Sequence, residues 1–164
     1  MQDGIATDTE TSLMWLCFAH GQTWQNGTAV GEAKQVDWQM AFYEARNCNR
    51  QGGYAGFTDW RLPTVDELKT LIAKVNGIQW NRIDADVFPN NKSKSKWFWS
   101  SLPYSDYSSD AWVVGFDSVS VTVASSIRVE ALLFDSCVEN SAAQWLRDVA
   151  SVFCSYAVRL VRIG

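Results

Sequence analysis

The sequence predicts an α+β domain whose strands pair antiparallel. Two helical patterns lie in the first half of the chain, most strand patterns lie in the second half, and both termini look extended. Helices and strands that are grouped in this way are typical of α+β folds. Residues 1–164 suffice for one domain with its own core, and a hydrophobic fraction of 47% excludes a disordered chain.

The N-terminal third predicts two strands, a loop and a helix. Residues 5–15 alternate around a polar turn and predict two short strands. Residues 20–35 are rich in glycine and polar residues, so we expect an irregular loop there. An apolar stripe at helical spacing then predicts a helix over residues 36–50, which the following pair of glycines ends.

A second helix is predicted over residues 65–74. Thr64 and Glu67 have the spacing of a capping box, in which each side chain binds the backbone N–H of the other residue. Apolar residues recur behind this cap at helical spacing, and Asn76-Gly77 follows as the stop signal.

The second half of the chain is dominated by strand patterns. Residues 97–101 form an aromatic strand, and residues 111–116 and 119–123 predict a hairpin. A short helix is expected over residues 138–150, and residues 156–162 alternate as a closing strand.

Charge and hydropathy exclude two classes of partner. The net charge is −4, and the basic cluster of Lys92, Lys94 and Lys96 alternates with serine as in a solvated loop, which argues against nucleic acid. No apolar run approaches the roughly 18 residues that span a bilayer, so membrane insertion by this chain is not expected. The N-terminus lacks the pattern of a signal peptide.

Tryptophan and cysteine usage indicates a packed core without a cofactor. Most of the nine tryptophans are expected in the core, with one or two lining a ligand surface. Cys17, Cys48, Cys137 and Cys154 form no Cys-x-x-Cys pair, and Cys17 with His20 is only half of a zinc site. Reduced thiols are therefore predicted, with one disulfide as the alternative for an exported protein.

Four blocks of sequence resemble the bacterial domain found at the C-terminus of collagen-like adhesins, the Lcl C-terminal family. The blocks are Thr7-Asp8 through Leu13-Met14-Trp15, Trp38-Gln39 with Ala41, Gly56 through Thr64 with Glu67-Leu68, and Trp99-Ser100-Ser101 with Val158 through Arg162. The resemblance implies a C-type lectin-like fold, in which paired terminal strands and two helices support an irregular ligand-binding face built by the C-terminal half. Residues 123–156 are longer than this family needs, which predicts an insertion over residues 125–152.

The same fold is shared by formylglycine-generating enzymes and by the variable proteins of diversity-generating retroelements. In the latter, adenine-directed mutagenesis rewrites a C-terminal segment. Lysine is absent after Lys96 and asparagine occurs after that point only at Asn140, whereas thirteen serines follow Trp97. Randomised asparagine codons would produce this change, which divides the chain into a fixed part (1–97) and a variable part (98–164). The alternative is that a strand-rich half simply avoids asparagine.

The variable half supplies the predicted ligand-binding residues. Tyrosine beside serine is typical of binding surfaces, because tyrosine offers amphipathic area and serine offers adaptable hydrogen bonds. The predicted residues are Leu102, Tyr104, Ser105, Asp106, Tyr107, Ser108, Ser109, Asp110, Asp117, Ser118, Val119, Ser120, Ser125, Val152, Phe153, Cys154, Ser155 and Tyr156.

Catalysis and metal binding find little support in the residues. His20 is the one histidine and is expected to be solvated, while Asp59 and Arg61 stand at a helix entrance, where a structural role is expected. Asp84 and Asp86 could bind Ca²⁺, but the calcium tripeptide of true C-type lectins is absent. Cys137 and Cys154 lie in no motif of formylglycine-generating enzymes.

Three functions follow in order of preference. The first is a non-enzymatic retroelement variable protein that binds a protein or glycan, surface-displayed or associated with phage or bacteria. The second is an invariant adhesin module that binds a glycan or another surface polymer. The third is an enzyme of the formylglycine-generating type.

Overall fold

The computed structural model describes residues 3–75, 78–83, 88, 97–104, 110–116, 120–125 and 157–164. The predicted helix over residues 138–150 lies outside the described residues, and so does the predicted insertion over residues 125–152 beyond its first residue. Two helices and antiparallel sheets are present, which confirms the α+β class.

The two ends of the chain share one antiparallel sheet. β1 (Ile5–Asp8) and β2 (Leu13–Leu16) form the predicted strand pair, and β10 (Val161–Ile163) pairs with the other side of β2. The prediction of a closing strand over residues 156–162 was too long. Ala157 instead makes an isolated parallel bridge to Phe98, because the chain passes between two sheets before it reaches β2.

Residues 20–35 contain a hairpin rather than the expected irregular loop. β3 (Thr23–Gln25) and β4 (Thr28–Val30) pair antiparallel around Asn26 and Gly27, both of which have positive φ. An Asn-Gly dipeptide is favoured in two-residue hairpin turns because both central positions need positive φ. The Asn-Gly dipeptide therefore indicates the hairpin, although the overall composition of residues 20–35 suggested an irregular loop.

The first helix, α1 (Trp38–Arg50), confirms the predicted helix with a start two residues later. Asp37 is extended, and its carboxylate accepts a hydrogen bond of 2.7 Å from the backbone N–H of Met40, so it acts as the N-cap. Two indole N–H groups attach this end of the helix to a later strand: Trp38 donates to the carbonyl oxygen of Ser100, and Trp99 donates to that of Val36.

The second helix, α2 (Val65–Thr70), has the predicted capping box but ends four residues early. The backbone N–H of Glu67 donates to the Thr64 hydroxyl at 3.2 Å, and that of Thr64 donates to the Glu67 carboxylate at 2.7 Å. Residues 72–75 belong to β5 (Ile72–Val75), which pairs with β6 (Ile78–Ile83). β-Branched residues and the Asn-Gly dipeptide between the two strands favour this hairpin over further helix.

The remaining sheet lies between two hydrophobic clusters. It has the order β7-β8-β9, formed by β7 (Trp97–Pro103), β8 (Asp110–Gly115) and β9 (Ser120–Ser125), and it confirms the predicted strand and hairpin. Phe98 and Val114 join the cluster that contains Leu68 of α2, whereas Trp99 and Val113 join the cluster that contains Trp38 of α1. Both faces of this sheet are therefore buried near its centre, and its solvent-exposed side chains lie at the ends of the sheet and along its edge.

Candidate ligand-binding surface

Part of the predicted binding surface lies within the described residues. Leu102, Tyr104 and Asp110 are described with their side chains, and Ser120 and Ser125 with their backbone. The other predicted residues lie outside the described part of the chain: Ser105, Asp106, Tyr107, Ser108, Ser109, Asp117, Ser118, Val119, Val152, Phe153, Cys154, Ser155 and Tyr156.

The exposed end of the β7–β9 sheet carries an aromatic patch, which consists of Leu102, Tyr104 and Trp112. Tyr104 is 53% exposed, and Leu102 is 43% exposed. The ring of Tyr104 stands edge-on against that of Trp112, with 5.3 Å between the ring centroids. This is the preferred geometry of aromatic pairs, so Tyr104 presents a large exposed surface in a fixed orientation.

Strand register accounts for the composition of the aromatic patch. Pro103 pairs with Ala111, so the positions on either side of Pro103 lie on the face of the sheet that carries Trp112. Val121 pairs with Val114 on that same face but stands next to Ser120 near the opposite end of β8, so it lies outside the aromatic patch. Sequence reasoning missed Trp112 as part of this surface, although the alternation through residues 110–115 already placed Trp112 on one face of the strand.

The base of the predicted variable loop is hydrogen-bonded. The backbone N–H of Tyr104 donates to the carbonyl oxygen of Asp110 at 2.8 Å, so the residues on either side of segment 105–109 are paired with each other. Just below, the buried hydroxyl of Ser100 accepts from the N–H of Leu102 at 3.2 Å. The N–H of Ser101 donates to the carbonyl oxygen of Pro63 at 2.7 Å. These bonds hold the irregular part of β7 without using any side chain of the aromatic patch.

The predicted binding residues are attached at two opposite ends of this sheet. Asp110 pairs with Ser125 at the end that carries the aromatic patch, and Gly115 pairs with Ser120 at the far end, where residues 117–119 connect β8 to β9. Ala157 follows residues 151–156 in the sequence and lies near that far end. Its carbonyl oxygen accepts a hydrogen bond from the backbone N–H of Trp99, and its own N–H donates to the carbonyl oxygen of Trp97. The length of β8 separates the two ends by about 17 Å.

His20, Cys17 and Cys48 lie in the first half of the chain and outside the aromatic patch. His20 Nε2 is 3.7 Å from a Glu44 carboxylate oxygen that also pairs with Lys34 at 2.9 Å. Burial lowers the pKa of His20 below its usual value, although Glu44 opposes this shift. Burial also raises the pKa of Cys17 to about 11 and raises the pKa of Cys48, so both thiols are protonated at neutral pH.

Asp59 and Arg61 have the structural roles that their position predicted. The guanidinium of Arg61 donates two hydrogen bonds, of 2.7 and 2.8 Å, to the carboxylate of Glu67 at the start of α2. Asp59 accepts from Arg162 at 2.8 Å, and the guanidinium of Arg162 lies 3.9 Å from the ring centroid of Phe57. Both pairs connect the segment before α2 to its surroundings, which accounts for its charged residues without any chemistry.

The described residues contain neither a metal-ligand cluster nor a helix that could span a membrane. No group of three histidine, cysteine or carboxylate side chains lies there in a position to hold a metal ion. No helix in the described part of the chain has the length and apolar character needed to cross a membrane. Asp84, Asp86, Cys137 and Cys154 lie outside the described residues.

Comparison with known proteins identifies the family. The family model described as the Lcl C-terminal domain matches residues 4–133, which confirms the resemblance and is consistent with a ligand-binding or adhesin-type role. The match ends within the predicted insertion, whereas β10, which pairs with β2, lies beyond it. No curated protein is similar enough to the chain to be matched to it. The chain belongs to the Lcl C-terminal domain family.

Proposed function

We propose that this domain binds a protein or glycan ligand without catalysis, through the aromatic patch and the segments attached around it. One observation carries the proposal. Tyr104 is more than half exposed, yet its ring is fixed against Trp112 and its backbone is hydrogen-bonded to Asp110. An exposed aromatic side chain that is already ordered loses little entropy when it binds a partner.

The finer proposal is that the domain is the variable protein of a diversity-generating retroelement, on the C-type lectin-like fold that its family resemblance implies. Support comes from the composition break near Trp97, beyond which lysine is absent and serine abundant. The hydrogen bonds that hold β7 beneath the aromatic patch also agree with the retroelement proposal. Groups from the fixed half, the Pro63 carbonyl and the Trp38 indole, hold the backbone of β7 beneath the aromatic patch. Side chains beyond the sheet could then change without loss of that support.

A non-enzymatic role is supported by the state of the described nucleophiles. Cys17 is buried and its pKa is about 11, so it holds almost no thiolate at neutral pH. His20 is engaged near Glu44 and Lys34 rather than beside a nucleophile or the aromatic patch.

An invariant adhesin module is the second candidate, and the family match favours it. Such a module would bind one neutral glycan or surface polymer, because an acidic domain is a poor partner for polyanions in general. A glycan array separates the two candidates. Tight binding to a neutral sugar that does not change with salt would favour the invariant adhesin.

The neighbouring genes provide the test of the retroelement proposal. We expect a near-copy of the 3′ coding segment close by, which differs from it almost only where the copy carries adenine, together with a reverse-transcriptase gene. The expected differences fall in the codons for residues beyond Trp97. If the neighbouring genes include neither the copy nor a reverse transcriptase, the retroelement role is wrong. Ligand binding by the aromatic patch does not depend on this result and is tested by the binding assays.

A further inference from the structure

The solvent side of α1 carries a concave surface that is separate from the aromatic patch. This α1 groove is lined by Tyr43, Arg46, Asn49 and Arg50 and has a volume of about 510 Å³. All four residues come from the fixed half of the chain. The lining of the α1 groove combines an aromatic ring with two cations.

The two arginines give the α1 groove a local positive charge within an acidic protein. Among the described residues, no carboxylate forms an ion pair with Arg46 or Arg50, whereas the chain as a whole has a net charge of −4. The acidic residue of α1, Glu44, pairs with Lys34 at 2.9 Å. An anionic partner would therefore meet two arginines that the described carboxylates leave available.

The shape of the α1 groove is largely set before any partner arrives. The side chain of Asn49 donates to the carbonyl oxygen of Trp60 at 2.8 Å and accepts from its backbone N–H at 3.0 Å, which fixes one wall. The guanidinium of Arg50 lies 5.9 Å from the ring centroid of Tyr43, within the range of cation–π attraction. Binding then requires little ordering of these side chains.

We propose that the α1 groove binds an extended acidic segment of a partner protein, with two carboxylates on Arg46 and Arg50. Side chains four residues apart on a helix lie about 6 Å apart at their Cβ atoms. Alternate side chains of an extended peptide repeat at about 6.8 Å, so acidic residues separated by one position match this spacing. Each planar guanidinium can hold one carboxylate through two hydrogen bonds.

The apolar neighbours favour a peptide over an anionic polysaccharide. Tyr43 is 47% exposed, and Met40, one helical turn before it, is 42% exposed. They offer a surface for an apolar side chain that follows the acidic pair, which a uniformly charged sugar polymer lacks. The helix dipole explains a basic residue in the last turn, Arg50, but not Arg46 together with an exposed apolar stripe.

The test measures binding of a fluorescein-labelled peptide that contains Glu-x-Glu followed by leucine and phenylalanine, with fluorescence anisotropy as the readout. The wild-type chain should bind this peptide, and high salt should weaken the complex. Replacing both glutamates of the peptide by glutamine should lower the affinity at least about tenfold, and so should the double variant Arg46→Gln/Arg50→Gln.

Matched variants make the result specific to the α1 groove. Lys69→Gln removes one positive charge from α2, where Lys69 pairs with exposed Asp66, and should leave the affinity unchanged. Tyr104→Ala should also leave it unchanged, which separates this proposal from the ligand-binding proposal above. Arg46→Glu/Arg50→Glu should lose the acidic peptide and gain affinity for the corresponding Lys-x-Lys peptide.

Three results would overturn the proposal. The first is equal affinity for the glutamate and glutamine peptides. The second is an unchanged affinity in Arg46→Gln/Arg50→Gln, with circular dichroism showing the fold intact. The third is binding of dextran sulfate that depends on both arginines while the peptide does not bind, which would assign the groove to a polysaccharide instead.

Discussion

The backbone N–H of Ser101 donates a hydrogen bond of 2.7 Å to the carbonyl oxygen of Pro63. This bond joins the strand below the aromatic patch to the segment that precedes α2, whose own conformation is set by the capping box of Thr64 and Glu67. The bond uses backbone atoms alone, so side chains at neighbouring positions of β7 can change without breaking it. Stability and ligand binding should therefore be separable by mutation.

Tyr104→Ala is expected to remove ligand binding while the domain stays folded. The side chain is 53% exposed, and its main contact is the edge-on pair with Trp112. Loss of such a pair costs about 1 kcal/mol of unfolding free energy. Urea unfolding measures the cost, and binding on a glycan array, compared with wild type, measures the loss of affinity. A loss above about 3 kcal/mol would place Tyr104 in the core and count against the proposed surface.

Trp60→Ala is the contrasting change, because it should unfold much of the population. Trp60 is 1% exposed, and its indole N–H donates to the carbonyl oxygen of Tyr54 at 3.2 Å. Deleting a buried indole leaves a cavity and costs about 3–5 kcal/mol. Thermal unfolding followed by circular dichroism provides the measurement, with Tyr43→Ala on the exposed side of α1 as the matched aromatic control. Similar melting temperatures for the two variants would contradict the assigned burial.

The sequence predicted a helix or strand most accurately where several local signals indicated the same structure. The cap of α2 was predicted correctly, because Thr64, Glu67 and the preceding proline all indicate a helix start. The end of the same helix was missed, since Ile72 and Val75 continue the apolar helical spacing and also suit a strand. Pairing with β6 decides between the two conformations, and that pairing depends on residues outside the window in which periodicity is read.

The candidate site was less predictable than the fold because its geometry depends on long-range register. Residues 105–109 precede β8 and residues 117–119 follow it, so the order of the chain already places the two connections at opposite ends of that strand. The sequence does not show at which end the chain returns to the sheet at Ala157. The parallel bridge between Phe98 and Ala157, almost sixty positions apart in the sequence, sets where the chain meets the sheet at Ala157.

Gly53→Ala should be strongly destabilising, whereas Gly27→Ala should be tolerated better. Both glycines have positive φ, of 69° at Gly53 and 78° at Gly27. A Cβ at Gly53 would collide with the carbonyl oxygen of Phe57, while a Cβ at Gly27 would meet nothing within 4 Å. The shared backbone strain costs about 1–2 kcal/mol, and the collision adds to it only at Gly53. Equal unfolding free energies for the two variants would show that the Tyr54–Phe57 turn relaxes.

Glu67→Gln should remove an acid-sensitive part of the stability. The two hydrogen bonds from Arg61 hold the pKa of Glu67 below its usual value of 4.5. Because the folded state lowers this pKa, the stabilisation is complete at pH values above 4.5 and is lost as the pH falls through the lowered value. Glutamine can still accept the N–H of Thr64, so the variant loses the ion pair and keeps the cap.

Urea unfolding across the acid range measures this effect. Wild type should lose stability more steeply than Glu67→Gln as the pH falls below 4.5. Glu67→Ala, which loses both the ion pair and the cap, should be about 1 kcal/mol less stable than Glu67→Gln at neutral pH. Parallel pH profiles for wild type and Glu67→Gln would contradict the role of the Arg61 pair.

His20 should make the domain sensitive to a milder acidification. Burial lowers the pKa of His20 below its usual value of 6.5, so the unfolded chain binds a proton at a pH where the folded chain does not. Stability is therefore retained above pH 6.5 and falls as the pH decreases from there through the lowered pKa. Glu44 limits this loss, because a protonated His20 would attract its carboxylate 3.7 Å away.

Replacement variants separate these two influences on His20. His20→Gln should flatten the stability profile just below pH 6.5. Glu44→Gln should steepen it, because the protonated ring then lacks its nearest carboxylate while Lys34 remains close. Melting temperatures measured over this range test both variants, with the acid transition of Glu67 lying at lower pH. A His20→Gln profile as steep as that of wild type would mean that another group, outside the His20–Glu44–Lys34 cluster, titrates in this range.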